Sequence, residues 1–131
     1  MTEDINDEAF MIKMGLNALS TFQAKLDDAT WQIDDTPIAK LRHISLHLSV
    51  VNGSLAGLCE KWEHEIEKDA NASDNLKNIN TEVLQDIIAD LFMHAAQLSN
   101  IIETSAYDAL SQRVTKNIKR FAPDSKINLD P

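Results

Sequence analysis

The amino-acid sequence predicts an all-α fold on three observations. It contains only three glycines and three prolines in 131 residues, so the turns that a β-rich protein requires are scarce. Apolar residues recur at helical spacing over long segments. The composition, 44% hydrophobic and 25% charged, is that of an ordinary globular domain. We therefore expect one four-helix domain over residues 1–121, completed by dimerisation, and an extended or disordered tail over residues 122–131.

The first two helices are indicated by apolar periodicity and by turn residues. A second helix is predicted over residues 37–68, because Thr36 can cap it and a proline fits its first position. Gly53 and Gly57 within it predict close contact with a neighbouring element, since glycine disfavours a helix without such a reason. The first helix is predicted within residues 8–33 by the spacing of Phe10, Met11, Met14, Leu19, Phe22 and Leu26.

The last two helices follow a polar linker at residues 69–80. The third helix is predicted to run to about Ile102, and a fourth, amphipathic helix to end at Phe121. The candidate N-caps are Asn80 or Thr81 for the third helix and Thr104 or Ser105 for the fourth.

The net charge of −9 disfavours nucleic acid and anionic membranes as partners, because both bind basic surfaces. A nucleotide or another small phosphate ligand remains possible, since it needs only a local cluster of cations. The acidic start of the chain and the lack of an apolar run of about 20 residues predict a soluble cytoplasmic protein. Cys59 lies in an apolar helical context, which predicts a buried thiol.

An acidic stripe runs along the third helix, where Asp86, Asp90 and His94 are four residues apart and Glu82 precedes them. Residues at this spacing share a helix face. The two aspartates lie at the edge of the apolar arc and His94 lies within it. Such a stripe would suit a cation held against a hydrophobic wall, and equally a solvated helix edge.

The second helix offers further candidate ligands. His43 and His47 are also four residues apart, and facing the acidic stripe they would form a mixed His/Asp pocket suited to Zn or Mn. The alternative is a pair of amphipathic histidines near the surface. Glu60 and Glu63 share a face, but neighbouring lysines also suggest an ordinary exposed helix end.

A basic cluster lies on one face of the fourth helix. Such a cluster of cations would bind phosphate oxygens; alternatively, it simply places favourable charge near a helix C-terminus. The cluster consists of Arg113, Lys116, Asn117 and Arg120.

Residues 86–121, "DIIADLFMHAAQLSNIIETSAYDALSQRVTKNIKRF", resemble the last two helices of MazG-like nucleoside triphosphate pyrophosphohydrolases. Asp90 takes the place of the aspartate in the family's Glu-x-x-Asp motif, and Asp86 that of an acid before it. The basic cluster, followed by Phe121, fits the family's closing signature. Residues 36–62 are similar to the family's entry helix.

The resemblance implies cleavage of a nucleoside triphosphate to a monophosphate and pyrophosphate, in a dimer or tetramer with shared sites. Four carboxylates from the two helices would hold Mg²⁺, or Mn²⁺ in its place. Asp90 stands at one of the four positions, Asp86 would also bind the metal, and the basic cluster would contact phosphate. The other three positions carry Val51, Ser54 and Ile87, and a further acidic position often seen nearby carries Gly57.

This departure leaves two hypotheses. In the first, the chain is an active pyrophosphohydrolase whose missing ligands are replaced by other side chains. In the second, it is a non-catalytic nucleotide-binding or protein-interaction homologue that keeps the fold and needs no cofactor. The replacement ligands would come from His43, His47, Glu60, Glu63, Glu82 and His94.

Overall fold

The computed structural model describes residues 6–68 and 79–131, so most of the predicted linker lies outside the described residues. All the regular secondary structure in the described part is α-helical, and this part contains no strand, which confirms the all-α prediction. The four helices are α1 (Asp7–Thr30), α2 (Pro37–Lys68), α3 (Thr81–Ile101) and α4 (Ala106–Phe121).

Each helix begins at a side-chain cap. The capping oxygens belong to Asn6, Thr36, Asn80 and Ser105, and each accepts a hydrogen bond from the backbone N–H three residues on, at 3.1 to 3.3 Å. Such a bond satisfies one of the N–H groups that a helix start leaves unpaired. Three of the caps were predicted, and the structure selects Asn80 for α3 and Ser105 for α4.

The turn between α3 and α4 has a left-handed residue at its centre. Glu103 has φ 52°, a conformation that costs an L-residue roughly 1–2 kcal/mol relative to glycine. Its N–H donates to the Asn100 carbonyl at 3.3 Å, and the Thr104 N–H donates to the Ser99 carbonyl at 3.0 Å. These two bonds form a Schellman motif that ends α3.

By contact, the chain divides into two compact units, and the prediction of a single domain over residues 1–121 stays a prediction. The first unit combines the described residues of Met1–Ile33 with Ala95–Pro131. The second unit comprises the described residues of Asp34–His94. α3 contributes to both, with its first two-thirds in the second unit.

In the first unit, α1 packs against α4 and is hydrogen-bonded to the C-terminal part of α3. The Asn100 side-chain amide donates to the Ser20 carbonyl at 3.0 Å. The tail after α4 is non-helical, and the Asn6 amide donates to the Asn128 carbonyl at 3.1 Å. The tail therefore contacts the start of α1.

In the second unit, α2 and the first part of α3 bury a small apolar stripe that includes Ile44, Val51 and Ile87.

The prediction of a buried Cys59 thiol is wrong, because this thiol is exposed. Cys59 lies about 80° around the helix from the buried Val51. The expected close contact at Gly53 and Gly57 is absent among the described residues. A Cβ built on either glycine meets nothing within 4 Å, because both lie on the side of α2 away from Ile44.

Candidate functional site

The acidic stripe of α3 divides between solvent and the interior of the second unit. Asp86 is exposed and Asp90 is half-buried. His94, one turn beyond Asp90 and within the apolar arc, is buried. Asp90 lies on the same side of α3 as Ile87 and His94 because residues three and four apart share a face, whereas Asp86 lies further round.

The structure brings three of the predicted site residues together. The rings of His43 and His47, one turn apart on α2, have their centroids 4.4 Å apart. The ring of His94 on α3 lies 5.7 Å from that of His47. The face of α2 that carries the histidines therefore meets the buried side of α3.

The predicted carboxylates do not join this histidine group. Glu60, Glu63 and Glu82 are exposed. Within residues 6–68 and 79–131, no three or more His, Cys, Asp or Glu side chains are arranged to hold a metal ion. Val51 and Ile87, at two of the expected ligand positions, are buried apolar residues. Mg²⁺ requires oxygen ligands, so the described donor set fits this ion poorly.

The basic cluster lies on the exposed surface of α4. All four members, Arg113, Lys116, Asn117 and Arg120, are exposed. The Arg120 guanidinium lies 4.8 Å from the centroid of the Phe121 ring, within cation–π distance. α4 also has Lys119 and Arg120 in its last turn, where positive charge is favourable beside the helix dipole. Both interpretations of the cluster therefore remain open.

A buried polar group in the first unit was not predicted from the sequence. Asp27 Oδ1 accepts from Gln23 Nε2 at 2.8 Å and from Gln97 Nε2 at 2.9 Å, and all three residues are buried. We call these residues the Asp27 cluster; it joins α1 to α3. The four-residue spacing of Gln23 and Asp27 was a signal that they share a face, but nothing in the sequence showed that this face is buried.

A cleft in the second unit was also not predicted. It has a volume of about 380 Å³ and lies between α2 and the start of α3, where Lys61, Trp62 and Asn80 are among the lining residues. The Trp62 Nε1–H is buried without a hydrogen-bond partner among the described residues. The cleft has room for a small molecule, and Lys61 and Glu65 give its wall one charge of each sign.

Two ionisable groups outside the candidate site have shifted pKa values. The Lys40 ammonium, 2.6 Å from Asp35, lowers the pKa of that carboxyl by hydrogen bonding and charge. Burial raises the pKa of the Tyr107 hydroxyl, and the negative charges of Asp130 and Asp108 add to the effect. Neither group belongs to the histidine group or to the basic cluster.

Comparison of the chain with protein-family models, with curated proteins and with solved structures finds no match. The resemblance to MazG-like pyrophosphohydrolases therefore stays a prediction that rests on the residues quoted above. Among the described helices, none is long and apolar enough to cross a membrane.

Proposed function

We propose that the chain is a non-catalytic association protein, a MazG-like helical scaffold whose copies bind one another through apolar helix faces. The observation that carries this proposal is the exposure of large apolar side chains. More than half of the side-chain surface is exposed at Phe10, Met11, Met14, Phe22, Leu46, Val50 and Phe92.

The contrast with the buried residues strengthens the argument. In the described part of the chain, the buried apolar residues are Ala9, Ile44, Val51, Ile87, Ala96 and Tyr107. Among the described residues, the largest wholly buried side chains are those of Ile44 and Gln23. Each Å² of apolar surface withdrawn from water contributes about 25 cal/mol. A second copy that covers the exposed faces would therefore add apolar burial that a single copy lacks, and extended apolar surface commonly marks an interaction site.

Sedimentation of the purified chain over a wide concentration range tests the proposal. We expect reversible self-association that does not require nucleotide or divalent metal, and that persists in Asp86→Asn and Asp90→Asn variants. A chain that stays monomeric at the highest concentration would refute it. Tight metal binding that needs both aspartates would also count against it, because a non-catalytic protein has no use for that site.

A second candidate function is nucleoside triphosphate pyrophosphohydrolysis. It is favoured by half-buried Asp90, one helical turn before His94 on α3, and by the exposed basic cluster on α4, which offers charge for phosphate. Because the described donor set fits Mg²⁺ poorly, we derive no metal-dependent step. A panel of canonical and modified triphosphates with Mg²⁺ or Mn²⁺ should release pyrophosphate, and Asp90→Asn should abolish the release. Asp124→Asn, in the exposed tail, is the control. Absence of turnover with every substrate would exclude this candidate.

A further inference from the structure

The side of α1 that faces away from the first unit is apolar along most of its length. We call this side the outer face of α1. Phe10 and Phe22 are 51% and 61% exposed, and Met11 and Met14 are 70% and 55% exposed. On the opposite side of the helix, the buried residues are Ala9, Gln23 and Asp27, two of which are polar. α1 therefore exposes its largest apolar side chains, whereas an ordinary surface helix turns such side chains toward the core.

Along the helix, the positions of the outer-face residues are nearly symmetric about the level of Leu16, whose own side chain lies on the opposite side of α1. Phe10 and Phe22 lie six residues on either side of this position, and Met14 and Ala18 lie two residues on either side. A face with this symmetry is complementary to itself when two helices run antiparallel, which is the arrangement that a twofold axis requires. At matching levels the two helices would then present Phe opposite Phe, and a large Met opposite a small Ala.

The charges at the ends of the face have the same symmetry. Asp7 and Lys25 lie nine residues on either side of Leu16 and are exposed on the same side of the helix. In an antiparallel pair, Asp7 meets Lys25 of the partner subunit at both ends, about 27 Å apart along the helix. A parallel pair would instead place Asp7 against Asp7 and Lys25 against Lys25, which is unfavourable.

We propose that a second copy of this chain packs antiparallel on the outer face of α1, with the twofold axis at the level of Leu16. This inference rests on the proposed function and adds the surface, the orientation and the register.

A charge introduced at the centre of the face tests the surface. Ala18→Glu would place two unpaired carboxylates in the interface by symmetry, and we expect the dimer Kd from sedimentation to rise ~100-fold or more. Ala56→Glu, the same change at an exposed position of α2, is the matched control and should leave the Kd unchanged. Circular dichroism of each variant checks that the helices form.

Charge exchange tests the orientation and register. Asp7→Lys or Lys25→Asp alone should raise the Kd about 3- to 10-fold, because two exposed ion pairs become repulsive. Both changes in one chain should restore the Kd toward that of the unchanged protein. This rescue does not depend on the stability of the isolated helix, since the double variant keeps any local effect of each substitution.

The outcomes separate this inference from the proposed function. Loss of the dimer in Ala18→Glu together with rescue by charge exchange supports both. If the chain self-associates but Ala18→Glu has no more effect than Ala56→Glu, the outer face of α1 is not the interface and the inference fails, while the proposed function stands. If Ala18→Glu acts but charge exchange gives no rescue, the antiparallel register is wrong. A strictly monomeric chain refutes both.

Discussion

The buried carboxylate of the Asp27 cluster gives a quantitative test of the first unit. Asp27 is 8% exposed, and one of its oxygens, Oδ1, accepts both amide hydrogen bonds. Asp27→Ala removes this acceptor, so the buried side-chain amides of Gln23 and Gln97 lose the hydrogen bonds that they donate to it.

The expected loss of stability follows from the two hydrogen bonds that the substitution removes. An unsatisfied buried polar group costs about 1–3 kcal/mol, so we expect Asp27→Ala to lower the free energy of unfolding by about 2–4 kcal/mol. Asp27→Asn keeps a carbonyl oxygen at the Oδ1 position that accepts both bonds, and should cost about 1 kcal/mol or less. The difference between the variants isolates the loss of the acceptor from the loss of the charge.

Urea unfolding followed by circular dichroism measures these free energies. Asp28→Ala, at the neighbouring exposed position, controls for the higher helix propensity of alanine. In a double-mutant cycle, Asp27→Ala and Gln97→Ala should be non-additive by at least about 0.5 kcal/mol, since they remove the same bond. If Asp27→Ala is no more destabilising than Asp28→Ala, the cluster does not stabilise the unit and the reasoning is refuted.

Three further predictions concern local features of the first unit. Glu103→Gly should raise the free energy of urea unfolding by about 1 kcal/mol, because glycine adopts positive φ without strain; a loss of stability would contradict the Schellman geometry. Ser105→Ala should lower that free energy by about 1 kcal/mol, whereas Ser105→Asp, which keeps a capping oxygen, should be nearly neutral. Tyr107, the only tyrosine, should form phenolate with an absorbance midpoint above the usual pKa of about 10. Because the raised pKa means that folded protein holds this proton more tightly, stability should be constant below about pH 10 and fall as the pH rises further; a midpoint at or below 10 would contradict the burial.

The helices and most of their ends could be predicted because they depend on local signals. Thr36 and the proline after it mark the start of α2, and Ser105 marks the start of α4; each acts on backbone groups within three residues. The burial of His94 likewise agrees with its position within an apolar arc. These features depend only on residues that are close in sequence, so they can be predicted from a single sequence without an alignment.

The direction in which each helix faces could not be predicted in the same way. Periodicity at Phe10, Met14 and Phe22 identifies a helix with an apolar side, but it does not say what covers that side. In this chain the covered side of α1 carries the polar residues Gln23 and Asp27. Their hydrogen bonds compensate for the cost of burying polar groups. For the same reason the candidate site could be predicted as a set of residues and not as an assembled group.

The histidine group shows how far the sequence could predict the candidate site. Spacing along one helix predicted that His43 and His47 are adjacent, and the structure adds His94 from α3. No spacing rule relates residues on two different helices, so the sequence left open whether Asp86 and Asp90 joined them. Only Asp90 lies on the side of α3 that carries His94.

The chain has a single cysteine and a single tyrosine, and they fall in different units. Cys59 is exposed on α2, so a thiol-reactive fluorophore would label the second unit at one defined position. At alkaline pH, Tyr107 reports on the first unit through the absorbance of its phenolate, which the two tryptophans do not share. The loss of structure in each half of the molecule can thus be recorded in the same sample, without introducing a mutation, and the two signals will coincide only if the halves unfold as one cooperative system.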